Sequence, residues 1–395
     1  MKSMEPFPPE GRSAMPSQPG THHTSGQPGR RPMTDGLNFH QAPFLVIWEV
    51  TRACELKCLH CRAEAQPLSH PDELDTEEGL ALLDEIRRFG QPLFIFTGGD
   101  PLKRPDIFDL IAHAKTIGLT PGMSPSGTPL LNRTNLARAA AAGISTVSIS
   151  LDAPTAENHD AFRGVPGSFA LSTDAARIVS ELGMRLQINT AISAYNLDQL
   201  DQMADLVVSL GATRWEVFFL VPTGRGLQLD EVSAADFETV CHWLYGQTYR
   251  LEAHITAVEA GFYRRVVLQR LAGEQQIDPL SVWQNSRSGH GRFLPGMNSG
   301  SGFIFISHIG EIYPSGFLPL MTGNVRQDSL VETYRNHPVF RQLRDPDRLK
   351  GRCGRCEYRA LCGGSRARAY AMTGDYLEAD PACAYQPEMA TAATT

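Results

Sequence analysis

Three cysteines that follow an apolar, strand-like segment restrict the fold and chemistry of this chain more than any other feature. Cys54, Cys58 and Cys61 are spaced four and three residues apart, directly after residues 44–50. Three thiolates at this spacing can hold three irons of a cubane cluster, which leaves the fourth iron without a protein ligand. A metal position that the protein leaves open is a reactive one, as in catalytic zinc sites. The spacing alone leaves a zinc site open as an alternative.

A glycine-rich motif accompanies these cysteines. Residues 97–101 read T-G-G-D-P and follow a second strand-like run at residues 93–96. Two adjacent glycines, here Gly98 and Gly99, allow a ligand to approach the backbone closely. Together with the C-x3-C-x2-C run, this motif resembles the signatures of the radical SAM superfamily, whose second motif is usually G-G-E-P. Asp100 stands where that family has Glu and keeps the carboxylate.

The resemblance implies a definite chemistry. In that family the open iron of a [4Fe–4S] cluster binds the amino and carboxylate groups of S-adenosylmethionine (SAM). An electron from the cluster then releases a 5′-deoxyadenosyl radical, which abstracts hydrogen from an unactivated carbon of a substrate. The resemblance therefore implies an enzyme that depends on SAM and on a reductant such as ferredoxin or flavodoxin. The three cysteines would be catalytic, and Gly98, Gly99 and Asp100 would help to position SAM.

Composition excludes some function classes and leaves this one open. The chain has 395 residues, 42% hydrophobic and 20% charged, and a formal net charge of −7. These values are ordinary for a globular protein, and no basic field indicates nucleic acid as a partner. No apolar run is long enough to span a bilayer, and no signal peptide is visible. Eight clustered cysteines without an export signal favour metal binding in a reducing cytoplasm over disulfides.

The pattern along the chain predicts four regions. Residues 1–36 are rich in Pro, Gly, Ser and His, a composition that cannot bury a core, so we predict a disordered tail. Residues 37–226 are predicted to form the main α/β domain, and residues 227–300 a helical insertion or linker. Residues 301–395 carry the remaining cysteine cluster and are predicted to form a small second domain.

Strands and helices alternate from residue 44 to residue 224. Asp75 and Glu78 form a plausible capping box for the first helix, and glycines such as Gly118 and Gly143 end the later ones. Six such units predict a parallel sheet, because each helix must cross over to the next strand. Eight units would close a barrel. We therefore predict an open (β/α)6 partial barrel, the fold that the resemblance also implies.

Polar residues end two of the predicted strands. Ser150 ends the fourth strand and Asn189 lies in the fifth. Both resemble family positions that contact SAM, and their side chains can donate to and accept from ribose hydroxyls. Arg163 resembles a family arginine that pairs with the SAM carboxylate, although a solvated loop arginine is the alternative. His60 occupies the family's aromatic position, where packing against the cofactor is expected rather than ligation.

A second set of cysteines lies near the C-terminus. Cys353, Cys356 and Cys362 form C-x2-C-x5-C, and Cys383 follows 21 residues later. Four thiolates suit a second [4Fe–4S] cluster without an open iron, or a structural zinc ion. Cys241 stands apart, in an amphipathic stretch, and is most simply a small buried apolar residue.

This second set resembles the SPASM domain of radical SAM enzymes, which in full form has seven cysteines and two auxiliary clusters. The pattern here is reduced: Arg366 and Ser315 stand where cysteines are usual, and residues 296–302 contain none. The losses all fall on ligands of the first auxiliary cluster. We therefore predict a reduced, twitch-like domain with one auxiliary cluster and two clusters in the whole chain.

Two substrate classes remain open from the sequence. Residues 218–226 and 305–314 resemble the branch that modifies heme precursors, which includes Fe-coproporphyrin decarboxylases. Arg264 and Arg265, beside an aromatic pair, could contact such an anionic, partly planar substrate, or could form a solvated helix face. The other branch modifies ribosomally made peptides. A third, non-catalytic interpretation is an iron–sulfur electron-transfer protein, against which the open iron and the glycine motif both argue.

Overall fold

The structure is a computed structural model that describes residues 38–230, 232–285 and 296–387. The tail predicted for residues 1–36 lies outside these ranges. The described residues contain no helix that is long and apolar enough to cross a membrane. Within them, ten strands form one sheet in the order β10-β9-β8-β1-β2-β3-β4-β5-β6-β7. The fold is therefore α/β, as predicted.

The six predicted strands are all present. They are β1 (Leu45–Glu49), β2 (Leu93–Thr97), β3 (Thr120–Met123), β4 (Thr146–Ser150), β5 (Arg185–Ile192) and β6 (Arg214–Phe219). Neighbours in this series are all parallel. The register pairs Ser150 with Asn189, so the carboxyl ends of the strands meet at one edge. The prediction of a parallel (β/α)6 core is confirmed.

Six helices connect these strands. They are α1 (Thr76–Arg87), α2 (Ile107–Thr116), α3 (Arg133–Ala142), α4 (Ala156–Arg163), α5 (Ser168–Glu181) and α6 (Leu200–Ser209). The predicted capping box of α1 is present, because Asp75 accepts from the Glu78 amide and Glu78 accepts from the Asp75 amide. Helix α3 ends at Gly143, whose φ of 125° is a backbone conformation that side chains disfavour.

The segment 227–300 is more than a helical insertion. After α7 (Ala234–Arg250) comes β7 (His254–Val258), which pairs in parallel with β6 and extends the sheet by a strand. Helices α8 (Phe262–Gln275) and α9 (Pro279–Asn285) follow. The sequence analysis did not identify β7.

The C-terminal region joins the opposite edge of the same sheet. Strand β8 (Phe303–Ile306) pairs in parallel with β1, and β9 (Glu311–Tyr313) and β10 (Gly323–Asn324) continue antiparallel. Four short helices follow: α10 (Leu330–Asn336), α11 (Pro338–Leu343), α12 (Gly351–Arg355) and α13 (Arg366–Thr373). The main apolar core lies between the sheet and its helices, and fully buried Trp48, Phe94 and Phe96 belong to it.

Candidate functional site

The three cysteines lie together at the carboxyl ends of the strands. Cys54 and Cys58 are buried and Cys61 is half-buried, and all three line one cavity of about 240 Å³. We call this the strand-end cavity; Gly98, Gly99, Ser150 and Asn189 also line it. Ligand sites in parallel α/β folds lie at this edge. The structure thus brings most of the predicted site residues into one place.

Hydrogen-bond donors surround the sulfur atoms. The Leu56 amide donates to Cys54 Sγ over 3.4 Å, and Ser126 Oγ lies 3.4 Å from the same sulfur. Arg163 Nη1 lies 3.6 Å from Cys58 Sγ. Burial raises the pKa of both thiols, and bound metal is what would keep them deprotonated. Sulfur atoms with nearby donors suit the thiolates of an iron–sulfur cluster, whose properties such hydrogen bonds tune.

Gly98 and Gly99 hold the cysteine loop against the sheet. The Gly99 amide donates to Thr51 O over 2.7 Å. A Cβ atom would lie 2.7 Å from Thr51 O at Gly98, and 2.5 Å from Ala53 O at Gly99. Real Cβ atoms do not approach other atoms so closely. The glycines therefore serve the docking of the cysteine loop, in addition to facing the cavity.

Asp100 has protein partners for both its side chain and its backbone. The carboxylate is fully buried and accepts from Thr128 Oγ1 over 2.7 Å and from the Leu102 amide over 3.2 Å. Its amide donates to Ala53 O over 2.7 Å. In the part of the chain that the structure describes, Asp100 is not among the residues that line the strand-end cavity. Asp100 thus connects two loops, and its role in positioning SAM stays a prediction.

Arg163 lines the strand-end cavity and already has a partner. Its guanidinium forms an ion pair of 2.5 Å with Asp152, which the sequence analysis did not identify. Burial opposes ionisation of Asp152, but Arg163 and the neighbouring histidines outweigh it and lower the pKa of that carboxyl. The buried Nε of Arg163 has no hydrogen-bond partner among the described residues. This free donor leaves Arg163 able to contact a ligand while it stays paired.

His60 packs as expected for an aromatic position. Its ring stacks on Phe162 with centroids 4.7 Å apart and planes 14° apart, and it lines the strand-end cavity. Burial lowers the pKa of His60 to about 4, so the ring is neutral at pH 7. Within the described residues its Nδ1 and the cavity-lining Ser168 Oγ are buried without a hydrogen-bond partner. Unpaired buried polar atoms in a cavity are what a polar cofactor would satisfy.

The four C-terminal cysteines surround a second, smaller cavity of about 30 Å³. The Gly364 amide donates to Cys362 Sγ over 3.4 Å, and the Asp380 amide donates to Cys353 Sγ over 3.5 Å. Backbone amides also donate to Cys356 and Cys383. Every one of the four sulfurs therefore has a donor, and hydrogen bonds of this kind tune the potential of an iron–sulfur cluster. We call this the four-cysteine cavity.

Arg366 stands where the full pattern would have a cysteine. It is buried, donates to Tyr376 O and Glu378 O over 3.0 and 2.7 Å, and places Nη2 3.7 Å from Cys353 Sγ.

Among the described residues, no group of three or more His, Cys, Asp or Glu is arranged to hold a single metal ion. Cys241 is fully buried in the main core, as the sequence analysis expected.

Comparison with known proteins identifies the family. The pattern of the Radical SAM superfamily matches residues 48–207. The AdoMet-dependent heme synthase of Methanosarcina barkeri is 41% identical over 346 residues, which span 88% of this chain and 97% of that protein. That of Nitratidesulfovibrio vulgaris is 41% identical over 374 residues, 94% of this chain and 99% of that protein. The chain belongs to the radical SAM superfamily.

A solved structure shares the fold of this radical SAM enzyme. Streptococcus suis SuiB bound to S-adenosylmethionine matches with a TM-score of 0.66 and 15% identity, over 87% of this chain and 78% of SuiB. Family membership means that a [4Fe–4S] cluster and SAM are the cofactors, and that the chain is an enzyme. The non-catalytic interpretation is therefore wrong.

Arg264 and Arg265 do not reach the strand-end cavity of this radical SAM enzyme. Arg264 donates to Leu361 O over 2.8 Å and to Met297 O. Arg265 is buried, pairs with both carboxylate oxygens of Glu238 at 2.6 and 2.5 Å, and lines the four-cysteine cavity. The expectation that they contact a substrate is wrong for the described structure, because both are occupied as supports of the C-terminal site.

Sequence reasoning missed an ion-pair network at the mouth of the strand-end cavity. Arg62 lines the cavity, pairs with buried Glu49 at 2.6 Å and lies 4.5 Å over the Phe305 ring. His308 also bonds Glu49 at 3.0 Å. Burial acts to raise the pKa of Glu49, but Arg62 and His308 lower it overall. The only sequence signal was the position of Arg62 next to Cys61.

Proposed function

We propose that this radical SAM enzyme forms a heme-type product from an iron tetrapyrrole that carries carboxylate side chains. The observation that supports it best is the 41% identity to two AdoMet-dependent heme synthases over 97% and 99% of their lengths. Identity that continues across both cysteine sites suggests that the substrate site, and not just the radical-generating core, is shared. The resemblance of residues 218–226 to the heme-precursor branch agrees with this substrate class.

One wall of the strand-end cavity suits a flat, anionic macrocycle. Phe218 and Phe317 line it, and their rings lie 6.4 Å apart. Aromatic side chains of this kind offer a large apolar contact area for a planar ligand. Arg62, with 22% of its side chain exposed, is a cation at the same cavity. A guanidinium can bind a carboxylate through two parallel hydrogen bonds, and we assign Arg62 to a substrate carboxylate.

The opposite wall would hold the cofactors. Cys54, Cys58 and Cys61 would bind the cluster, which with SAM supplies a 5′-deoxyadenosyl radical when both are bound. Ser150 ends β4, Asn189 pairs with it from the neighbouring strand β5, and both line the cavity, so their side chains would orient SAM. The free Nε of Arg163 is suited to its carboxylate, and Gly98 and Gly99 bring backbone to the same place. The reacting carbon of the substrate would lie between the two walls.

We further propose that Cys353, Cys356, Cys362 and Cys383 hold one auxiliary [4Fe–4S] cluster. Donors to all four sulfurs in a small cavity fit such a group, and four thiolates leave no open iron. Electron transfer or structural support are the roles that remain for it. A ferredoxin or flavodoxin would act as the reductant, and an oxygen-labile cluster favours the cytoplasm as the location.

The test uses the anaerobically reconstituted enzyme with SAM, a reductant and Fe-coproporphyrin III. We expect 5′-deoxyadenosine to form at least about tenfold faster with the porphyrin than without it, because substrate binding completes the site. A heme-type product should appear in the mass spectrum of the same reaction. The Cys58→Ala enzyme is the control for porphyrin changes that do not depend on the radical.

One result would overturn the tetrapyrrole proposal. Wild-type enzyme that cleaves SAM but neither binds nor changes the porphyrin has a different substrate. Stimulation by a precursor peptide instead would then identify the enzyme as a maturase of a ribosomally made peptide.

A further inference from the structure

Arg368 connects the strand-end cavity to the C-terminal region. It lies on α13 and is 4% exposed. Its Nη2 donates to Phe219 O and to Leu220 O, each over 3.1 Å. Phe219 ends β6, and both of these residues line the strand-end cavity. One guanidinium therefore fixes the backbone of the cavity wall at the point where the strand ends.

The other side of the same guanidinium leads to the four-cysteine cavity. Arg368 Nη1 lies 3.3 Å from the carboxylate of Asp380, which is almost fully buried. The amide of Asp380 donates to Cys353 Sγ over 3.5 Å, and Asp380 also accepts from the Ser365 amide over 2.7 Å. Two residues thus span the distance between a cysteine sulfur and the wall of the other cavity.

Packing beside this connection leaves little room for independent movement. Arg368 Nη1 also donates to Glu259 O, just beyond β7, over 3.0 Å. A Cβ atom on Gly261 would lie 2.4 Å from Cys362 O, so the loop after β7 is in direct contact with the cysteine loop. A shift of the cysteine loop must therefore be passed on to the ends of β6 and β7, because close-packed interiors transmit displacement.

We propose that Arg368 and Asp380 form a clamp by which an occupied four-cysteine site fixes the β6 wall of the strand-end cavity. Arg368 is then a positioning residue for the substrate. The substrate part of this inference rests on the proposed function, since it assumes that the tetrapyrrole lies against Phe219 and Leu220. The mechanical part does not rest on the proposed function. Bound metal would hold Cys353 in place, the Cys353 sulfur would hold the Asp380 amide, and the Asp380 carboxylate would orient Arg368 toward the two carbonyls.

The mechanical part is tested by hydrogen exchange of the full enzyme. We expect the backbone amides of residues 219–221 to exchange at least about tenfold faster in Arg368→Lys, which keeps the charge but loses the forked donor. Cys383→Ala, which empties the four-cysteine site, should accelerate the same amides. Arg344→Lys is the matched control, because buried Arg344 also donates to carbonyls, Tyr334 O and Arg335 O, but contacts neither clamp residue. Unchanged exchange at residues 219–221 in both Arg368→Lys and Cys383→Ala overturns the clamp.

A double-mutant cycle tests the link to the substrate. Affinity for Fe-coproporphyrin III is measured by absorbance titration in wild type, Arg368→Lys, Cys383→Ala and the double variant. A shared clamp predicts that each single change weakens binding by about tenfold or more, and that the double variant is no weaker than Cys383→Ala. If the losses of affinity in the two single variants multiply in the double variant, the two residues act independently, and the clamp is overturned. Asp380→Asn repeats the test should Arg368→Lys fail to fold. A wild-type enzyme that does not bind the porphyrin would refute the proposed substrate and leave the exchange result to decide the clamp.

Discussion

The two cysteine sites have the same kind of ligand but very different surroundings. Three thiols lie in a cavity of about 240 Å³ at the strand ends, and polar side chains and an aromatic wall share it with them. Four thiols surround a cavity of about 30 Å³ in the C-terminal region. The site with three thiols has the larger cavity beside it, and the site with four thiols has the smaller one. A cluster at the first site has room beside it for a ligand, whereas the cavity at the second site leaves little.

The charges beside the two sites also differ. At the strand-end cavity, Arg163 pairs with Asp152 next to the neutral His60. At the four-cysteine cavity, Arg265 pairs with Glu238, and Arg366 lies near Cys353 Sγ. Arginine is charged at every accessible pH, but histidine is not. The first site therefore has a buried histidine beside its ion pair, whereas the histidine beside the ion pair of the second site, His242, lies 3.6 Å from Glu238 and is exposed.

The largest difference between the sites should follow from removing one thiol at each. Cys58→Ala should abolish reductive cleavage of SAM, because two thiolates cannot hold a cluster with a defined open iron. The measurement is 5′-deoxyadenosine release under anaerobic conditions with excess reductant. Cleavage at the wild-type rate would contradict the assignment of the three-cysteine site.

Cys383→Ala should act differently, because it removes a thiol from the four-cysteine site. We expect iron to fall from about eight to about four per chain, because one of two cubane clusters is lost. Product formation should stop, but some uncoupled formation of 5′-deoxyadenosine should remain. Iron, sulfide and zinc analysis of both proteins checks this. About four irons with zinc in the wild type would show that the second site is a zinc site, and about twelve irons would show that a third cluster exists.

Much of the first site could be predicted because it is local in sequence. Cys54, Cys58 and Cys61 lie within eight residues, and their position after an apolar strand places them at a known edge of a parallel sheet. Ser150 and Asn189 are predictable for the same reason, since each belongs to a strand that leads to this edge, and the two pair in register. The alternation of strands and helices determined the six-strand core in the same way.

The contacts that the sequence analysis missed join residues that are distant in sequence. The carboxylate of Asp100, which is predicted to help position SAM, accepts from Thr128, 28 residues away. Arg264 and Arg265 were expected at the substrate, but Leu361 O and Glu238 take their guanidinium groups. A charged residue gives no sequence signal of which distant group will satisfy it. The partner depends on which groups the fold buries beside the charge, because a buried arginine must pair with a group in its own surroundings.

A smaller effect is expected at Arg265. It distinguishes a residue that supports the four-cysteine site from one that binds the substrate in the strand-end cavity. Arg265→Met should lower the free energy of unfolding by about 1–3 kcal/mol, because Glu238 loses its guanidinium partner and keeps only His242 at 3.6 Å, while 21% of its side chain can still be hydrated. Porphyrin affinity at the strand-end cavity should stay within about twofold of wild type, a difference too small to reflect a lost contact. Urea unfolding and absorbance titration measure the two quantities. A large loss of affinity at unchanged stability would restore the hypothesis that Arg265 contacts the substrate.

The smallest expected effect is a pH dependence that belongs to the first site. His159 is fully buried, and its Nδ1 accepts from the Asp152 amide over 3.2 Å. Burial, and then the charge of Arg163, lower the pKa of His159 to about 4. An unfolded chain binds this proton near the ordinary pKa of about 6.5, so the folded state loses stability as pH falls from 6.5 toward 4 and keeps it above 6.5.

At pH 5.5 the loss of folding stability due to His159 should be about 1 kcal/mol relative to pH 7.5. In His159→Gln, which cannot titrate, urea unfolding at the two pH values should give a difference smaller by that amount, with the contribution of His60 unchanged. An equal pH dependence in both proteins would show that His159 is accessible to protons in the folded state.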